Sequence, residues 1–386
     1  MKPQLPLFPL LAVALAVPSG LPAQDSLSRE VTRAAEAFMQ EGRIPGLALG
    51  IIRNGRPVYA GGLGVTRLGS QTPVTERTLF HMASVTKPFV ATAIMQLVER
   101  GRMDLDAPVT RYLPYFRMKD PRASGMTVKQ LLNHTAGMPD VTDYAWDRPE
   151  YDAGALERYI RGLSDSSLLS DPGTKWAYSN IGFEVLADVI SKVSGESFED
   201  YVQRHILTPA GMKSSTLLMT DLDSTLLAWG HVHRGPTQVE PSNVYPYNRR
   251  HAASSTLHSN VVDMLRWAMI NLRRGELDGN RILADSSYAS LWTPSRDMTA
   301  ELRERARRAG IEIPWESYAV GLSWFVVRYR GKRLINHSGG DRGFRSDLYL
   351  APDDSTAVVV MANDQTADVQ KLARAVLDIV FRNEGR

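Results

Sequence analysis

Strand-type patterning sits at the two ends of this chain and not in its middle, and that limits the available folds more than any other feature. Near the N-terminus, the runs Leu47 to Arg53 and Pro57 to Gly62 flank Asn54-Gly55. Both turn residues tolerate positive φ, so the pair predicts a tight β-hairpin. Near the C-terminus, Val320 to Val327 and Arg333 to Asn336 flank Arg330-Gly331. Ser346 to Leu350 and Thr356 to Met361 flank Pro352-Asp353-Asp354 in the same way. These patterns predict an α+β fold: an antiparallel sheet of about five or more strands, built from both chain ends, with helices packed on it.

The rest of the chain reads as helix and loop. Ser26 to Glu41 places Val31, Ala34, Ala35 and Phe38 on one face, and Pro45-Gly46 ends the pattern. Val90, Ile94, Leu97 and Val98 mark a second helix after Thr86. Residues 102–250 carry short helical patterns at 127–133, 154–163 and 181–194, separated by loops rich in Pro, Gly, Asp and Tyr. This is read as a mainly helical region inserted into a sheet domain. Its α/β part comprises residues 24–101 and 251–386, so that 24–386 forms one unit. Helices are expected at 260–273 and 298–309, a turn at Gly275 to Asp278, and a closing amphipathic helix from Ala367 to Phe381.

Residues 1–23 carry Lys2, an apolar run from Leu5 to Val17, then Pro18-Ser19-Gly20 and Ala23. That order predicts a secretory signal peptide and an exported protein, periplasmic or secreted. The run is shorter than the roughly 20 residues a membrane-spanning helix needs, and no later segment is long enough to cross a membrane. The chain has no cysteine, which excludes disulfides, thiolate metal sites and a lipid-modified N-terminal cysteine. The remaining length is sufficient for a large core without disulfides. Net charge is +3, with small basic clusters only at Arg249-Arg250 and Arg303 to Arg308; nothing indicates a nucleic-acid surface.

Three stretches concentrate the chemistry. Ser84 and Lys87 lie one turn apart at the start of a helix, on one face. A serine becomes a nucleophile once a base takes its proton, and a buried lysine can be that base because desolvation disfavours the ammonium. The alternative is a capping serine beside a solvated lysine. Tyr178 and Asn180 lie in a loop that opens the helix from Ile181, with Asn180 placed to cap it. A tyrosine beside an ammonium loses its proton more easily and can then act as a base; the alternative is an aromatic core anchor. His337, Ser338, Gly339 and Gly340 end a strand, where glycines admit a substrate closely and a backbone N–H can help form an oxyanion hole; the alternative is a plain Gly-rich turn.

Taken in order, Ser84-x-x-Lys87, Tyr178-x-Asn180 and His337-x-Gly339 resemble the three motifs of the serine β-lactamase and penicillin-binding protein superfamily. The resemblance is to its class C β-lactamase-related branch, which includes D-peptidases and esterases. Leu131 to Gly137, Pro209 to Met212, and Ala253 to Ser259 with Asp263 resemble further loops of that branch, so the likeness runs from about Leu27 to Phe381. It implies that Ser84 forms an acyl-enzyme and that Lys87 and Tyr178 share the proton handling. It also implies that Asn180 bonds Lys87 or the substrate, and that the N–H groups of Ser84 and Gly340 hold the oxyanion. The implied activity is a cofactor-free serine hydrolase acting on an amide, ester or β-lactam carbonyl, foremost a D-peptide peptidase or carboxylesterase. A β-lactamase proper or a non-catalytic peptidoglycan- or partner-binding relative are the alternatives.

The sequence departs from the pattern at His337, where true β-lactamases and carboxypeptidases carry a lysine that helps bind a substrate carboxylate. A histidine is mostly neutral at pH 7. Arg342 and Arg345 could restore a carboxylate clamp, or be structural. His231, His233, His251 and His258 form a weak metal candidate with no carboxylate motif beside them, and no metal is expected. His134 reads as a structural hydrogen-bonding residue. Trp146, Trp176, Trp229 and Trp315 are expected to wall the cleft or the core.

Overall fold

The computed structural model describes residues 21–235 and 238–382, with side-chain surroundings from Ser26 onward. The expected signal peptide falls almost wholly outside the described residues. Helix α1 (Leu21–Gly42) leads into strand β1 (Gly46–Arg53) and, through Asn54 and Gly55 at φ of 51° and 70°, into β2 (Arg56–Gly64). Far along the chain come β3 (Arg296–Asp297), β4 (Ser317–Val320), β5 (Phe325–Tyr329), β6 (Lys332–Asp341), β7 (Phe344–Ala351) and β8 (Thr356–Ala362). They form one eight-stranded sheet in the order β2-β1-β8-β7-β6-β5-β4-β3, antiparallel throughout. The two ends of the chain are joined where β1 pairs with β8, for example Leu49 opposite Val360 and Ile51 opposite Val358.

The strand period of two distributes side chains to both faces. Leu47, Leu49 and Ile51 of β1 join Val358 and Val360 of β8 under α1 and the C-terminal helix α5 (Val369–Arg382). Ala48 and Ile52 join Val359 and Met361 in the opposite core, against α2 (Lys87–Glu99), α3 (Asn180–Ser194) and α4 (Val261–Leu272). Both faces are covered, which is why β1 and β8 are almost wholly buried and read as near-continuous apolar runs. Among the described residues, 102–250 add no strand to this sheet. Among the described residues no helix is long and apolar enough to cross a membrane.

Two sequence expectations need correction. The run Val320 to Val327 is not one strand. It breaks at a turn in which Gly321 N–H donates to Trp324 O at 2.8 Å and Ser323 takes φ of 67°. The turn packs onto Leu291, whose carbonyl oxygen would lie 2.3 Å from a Cβ at Gly321. Second, the strand expected at Arg333 to Asn336 continues to Asp341, so His337 to Gly340 lie inside β6 rather than at its end.

Candidate active site

The stretch that carries Ser84 is anchored before it turns. Phe80 and His81 pair with Ser259 and His258 in a short ladder, and Met82 N–H donates to Leu257 O at 2.8 Å. Ala83 then takes φ of 47°, an uncommon backbone for a residue with a Cβ. It opens a single 3-10 turn, Ala83–Thr86, closed by the Thr86 hydroxyl donating to Ala83 O at 2.7 Å. Lys87 begins α2, and Pro88 occupies its first turn, where no intrahelical N–H bond is lost.

Lys87 is fully buried. Its ammonium donates to Ser84 Oγ at 3.0 Å, Asn180 Oδ1 at 2.6 Å and Ser254 O at 2.8 Å. All three acceptors are neutral. Burial therefore dominates and lowers its pKa to about 7, against the pull of the Glu184, Asp341 and Asp140 carboxylates. A lysine poised near neutrality and in contact with a serine hydroxyl can take that hydroxyl's proton.

Tyr178 is held by the loop after the short helix Val128–Leu132, which starts with a reciprocal Thr127–Gln130 capping box. His134, at φ of 59°, stacks on the Tyr178 ring at 4.3 Å between centroids. Its carbonyl accepts from Ala177 N–H at 2.8 Å and its Nδ1 accepts from Ser179 N–H at 3.2 Å. Burial raises the Tyr178 pKa, while its hydrogen bond with Ser84 acts the other way. The Asp140 and Asp341 carboxylates add to that rise, so the phenol keeps its proton, unlike the easy deprotonation expected beside an ammonium. The cap of α3 is also reassigned. Ser179 Oγ accepts from Gly182 N–H at 3.1 Å, and Asn180 is the first helical residue. Its side chain is free to bridge Lys87 and Asp140, with Nδ2 donating to Asp140 Oδ1 at 3.0 Å.

The third segment faces these groups. β5 pairs with β6 only as far as the Phe325–Asn336 position, so His337 to Asp341 have no strand partner on that side. The Ser84 turn lies there instead. A Cβ at Gly339 would sit 2.2 Å from Met82 O and 3.0 Å from Ser84 N, so only glycine fits. His337 is buried, with Nδ1 2.8 Å from Ser338 O and Nε2 unpartnered among the described residues. Burial, and then the Lys87 charge, bring its pKa down to about 3; it is neutral. Arg342 does not point a free fork at the cleft, since it donates to Ser242 Oγ at 3.0 Å and Asn243 Oδ1 at 2.9 Å. Among the described residues, Arg345 donates to the backbone carbonyls of Asp341 and Phe344. It lines a cleft of about 380 Å³ with Ser338, Gly339, Gly340 and the segment before α5. A wider groove of about 980 Å³ includes Trp176, Tyr318, Asn336 and Trp315 in its wall.

The model of the beta-lactamase family matches residues 10–381. The chain belongs to the beta-lactamase family. It is 27% identical over 346 residues to protein flp of Staphylococcus aureus (strain MW2), covering 89% of this chain and 64% of that protein. The chain thus spans less than two thirds of the first curated relatives it matches. It is 27% identical to penicillin-binding protein 4 of Amycolatopsis lactamdurans over 86% of this chain and 84% of that one. The solved octameric penicillin-binding protein homologue from Pyrococcus abyssi superposes with a TM-score of 0.78 at 25% identity, covering 92% of this chain and 77% of that one. A class C beta-lactamase superposes at 0.74 with 22% identity over 93% and 98% of the two chains, which shows the shared fold.

In this member of the beta-lactamase family the other histidines go to separate places. His231 accepts from Leu68 N–H, His233 meets Asp364 at 2.7 Å, His251 lies 3.6 Å from Glu184, and His258 packs beside His81. Among the described residues no group of His, Cys, Asp and Glu could hold a metal ion. Trp146 stacks on Tyr144 and Trp229 donates to Ser242 O. No separate sequence signal marks Asp140, Glu184 or the Ser254 carbonyl. Each contributes through its placement around Lys87, and only the likeness of the Ala253 to Ser259 loop pointed near one of them.

Proposed function

We propose that this protein is a serine hydrolase that works through an acyl-enzyme on Ser84, and that its substrates are carboxylic esters or D-peptide amides rather than penicillins. The observation that carries the reading is the fully buried Lys87 ammonium, held on Ser84 Oγ by two further neutral acceptors, Asn180 Oδ1 and the Ser254 carbonyl. Neutral Lys87 accepts the Ser84 proton as Oγ bonds to the carbonyl carbon, and the carbonyl π electrons move onto its oxygen. The N–H groups of Ser84 and Gly340 are the proposed donors to that oxyanion. When the oxyanion collapses, the bond to the leaving alcohol or amine breaks. Tyr178, still protonated, donates to the departing atom and is restored from Lys87. Water then repeats the sequence on the ester of Ser84 and releases the acid.

The substrate preference rests on charge. A penicillin or a C-terminal D-peptide presents a carboxylate, and neither neutral His337 nor the engaged Arg342 offers it a free cation. Arg345 beside Gly340 is the remaining candidate clamp. The fold is shared with a D-amino acid amidase from Ochrobactrum anthropi and with EstCE1, a hydrolase with promiscuous acyltransferase activity. The test is a panel of p-nitrophenyl esters, D-amino acid amides, D-Ala-D-Ala peptides and nitrocefin, run on wild type and Ser84→Ala. Turnover of esters or amides that falls by more than about 10³-fold in Ser84→Ala is expected. No turnover of any member, or turnover that survives the substitution, would leave a binding protein instead.

A further inference from the structure

The Ser84 turn and β6 face each other without a β-ladder between them, so backbone pairing does not set their separation. His81 lies three residues before Ser84 and Asp341 one residue after Gly340. Their side chains meet, with Nε2 of His81 2.8 Å from Oδ2 of Asp341. The His81 side chain is fully buried and that of Asp341 is 9% exposed. Tyr245, His258 and Phe344 enclose His81, with ring centroids at 6.3, 5.3 and 5.7 Å. In such a dry site a polar contact is strong when made and costly to lose. A parallel tie runs from Ser346 Oγ to Met82 O at 2.6 Å.

We propose that His81 and Asp341 are positioning residues that clamp the nucleophile turn against the Gly339-Gly340 edge and so fix the width of the site that receives the acyl oxygen. Neither residue touches the reacting atoms. The clamp rests on the acyl-transfer reading, because that width matters only if a carbonyl oxygen has to fit between Ser84 and Gly340. His81 faces Asp341, His258 and Tyr245. The Asp341 carbonyl accepts from Arg345, and its carboxylate acts on the Arg345 guanidinium and on the Tyr178 and Tyr144 phenols. At longer range Asp341 acts on Lys87, as do Glu184 and Asp140, each carboxylate favouring the ammonium.

The experiment measures kcat and KM for p-nitrophenyl acetate across pH on wild type, His81→Gln, Asp341→Asn and the double variant, with thermal unfolding of each. Each single substitution is expected to lower kcat about 10- to 100-fold, the scale of a misplaced catalytic group, while KM stays within about threefold. The double variant is expected to be no worse than the weaker single one, since both weaken the same contact. Asp341→Asn removes a carboxylate that favours the Lys87 ammonium, so the acid limb of kcat/KM moves to lower pH. His81→Gln keeps that carboxylate and leaves the limb at or above its wild-type position. Folded single variants with kcat within about twofold of wild type, or losses that add in the double variant, overturn the clamp. If His81→Gln does not fold, the near-isosteric Asp341→Asn decides through its kcat and acid limb. Its failure to fold as well would overturn the proposal in favour of a purely structural pair. A wild-type protein that turns over no ester and leaves Ser84 unlabelled by a fluorophosphonate would instead remove the acyl-transfer reading, and the clamp with it.

Discussion

At the residue scale the site is an arrangement of proton affinities. Lys87 is pushed down to about 7 by burial and Tyr178 is pushed up by the same cause. Those opposite directions support the proposal that the amine accepts the serine proton near neutral pH, a choice that spacing in the sequence left open. The activity of Ser84 is expected to rise with pH through about 7; a pH profile of kcat/KM on a neutral ester checks this. Replacing Lys87 with Met should cost on the order of 10²- to 10⁴-fold in acylation rate. The same substitution should stabilise the fold. Lys87 binds fewer protons folded than unfolded between about pH 7 and its ordinary value of 10.5, so its burial costs most below pH 7 and the cost fades as pH rises through that window. Melting curves should therefore show Lys87→Met above wild type at pH 6, with the gap closing toward pH 10. Ser84, Lys87, Tyr178 and Asn180 could be singled out because each is a reactive or polar residue at a fixed offset from a helix start. The state of His337 and the engagement of Arg342 could not, because both depend on groups about a hundred or more residues away in the chain.

At the element scale, three independent pieces carry the site: the turn before α2, the loop that ends in Tyr178, and the free edge of β6. The helices and hairpins were legible wherever one periodicity ran unbroken, as in α3 and α4. They were misread where tertiary contact decided. The break at Gly321 follows from packing onto Leu291, and the extension of β6 follows from pairing with β7, neither of which leaves a mark in local patterning. The close approach at Gly339 gives a direct test. Gly339→Ala would force a Cβ to within 2.2 Å of Met82 O, so the turn and strand have to part. Esterase kcat is expected to fall about 10²-fold or more, and a crystal structure should show a widened gap. Removing the α3 cap acts differently. Ser179→Ala should cost about 1 kcal/mol of stability in urea unfolding.

On the scale of the whole molecule, the N-terminal hairpin joins the sheet by pairing with the last strand, so the candidate pocket depends on contacts between distant parts of the chain. That a sheet must draw on both ends was readable from the placement of the strand patterns; its order and its eighth strand were not. One buried acid in the sheet gives a further pH test. Asp347 accepts from Asn336 Nδ2 at 2.7 Å and has its other oxygen unpartnered among the described residues. Burial raises its pKa from 3.8 to about 8. The folded state then holds a proton that the unfolded state has lost, so this group's contribution to stability declines as pH rises from about 4 to 8. Asp347→Asn is expected to raise the melting temperature at pH 8 and to change it little at pH 4.

The central claim is that the Ser84 hydroxyl, activated by a neutral Lys87, becomes acylated. The most direct measurement is mass spectrometry of the whole protein mixed with a slow-turnover p-nitrophenyl ester or a fluorophosphonate, followed by peptide mapping at several pH values. A single adduct on the peptide containing Ser84, forming faster as pH rises through about 7, is the expected result. An adduct on a different residue, or active protein that carries none, would contradict the account.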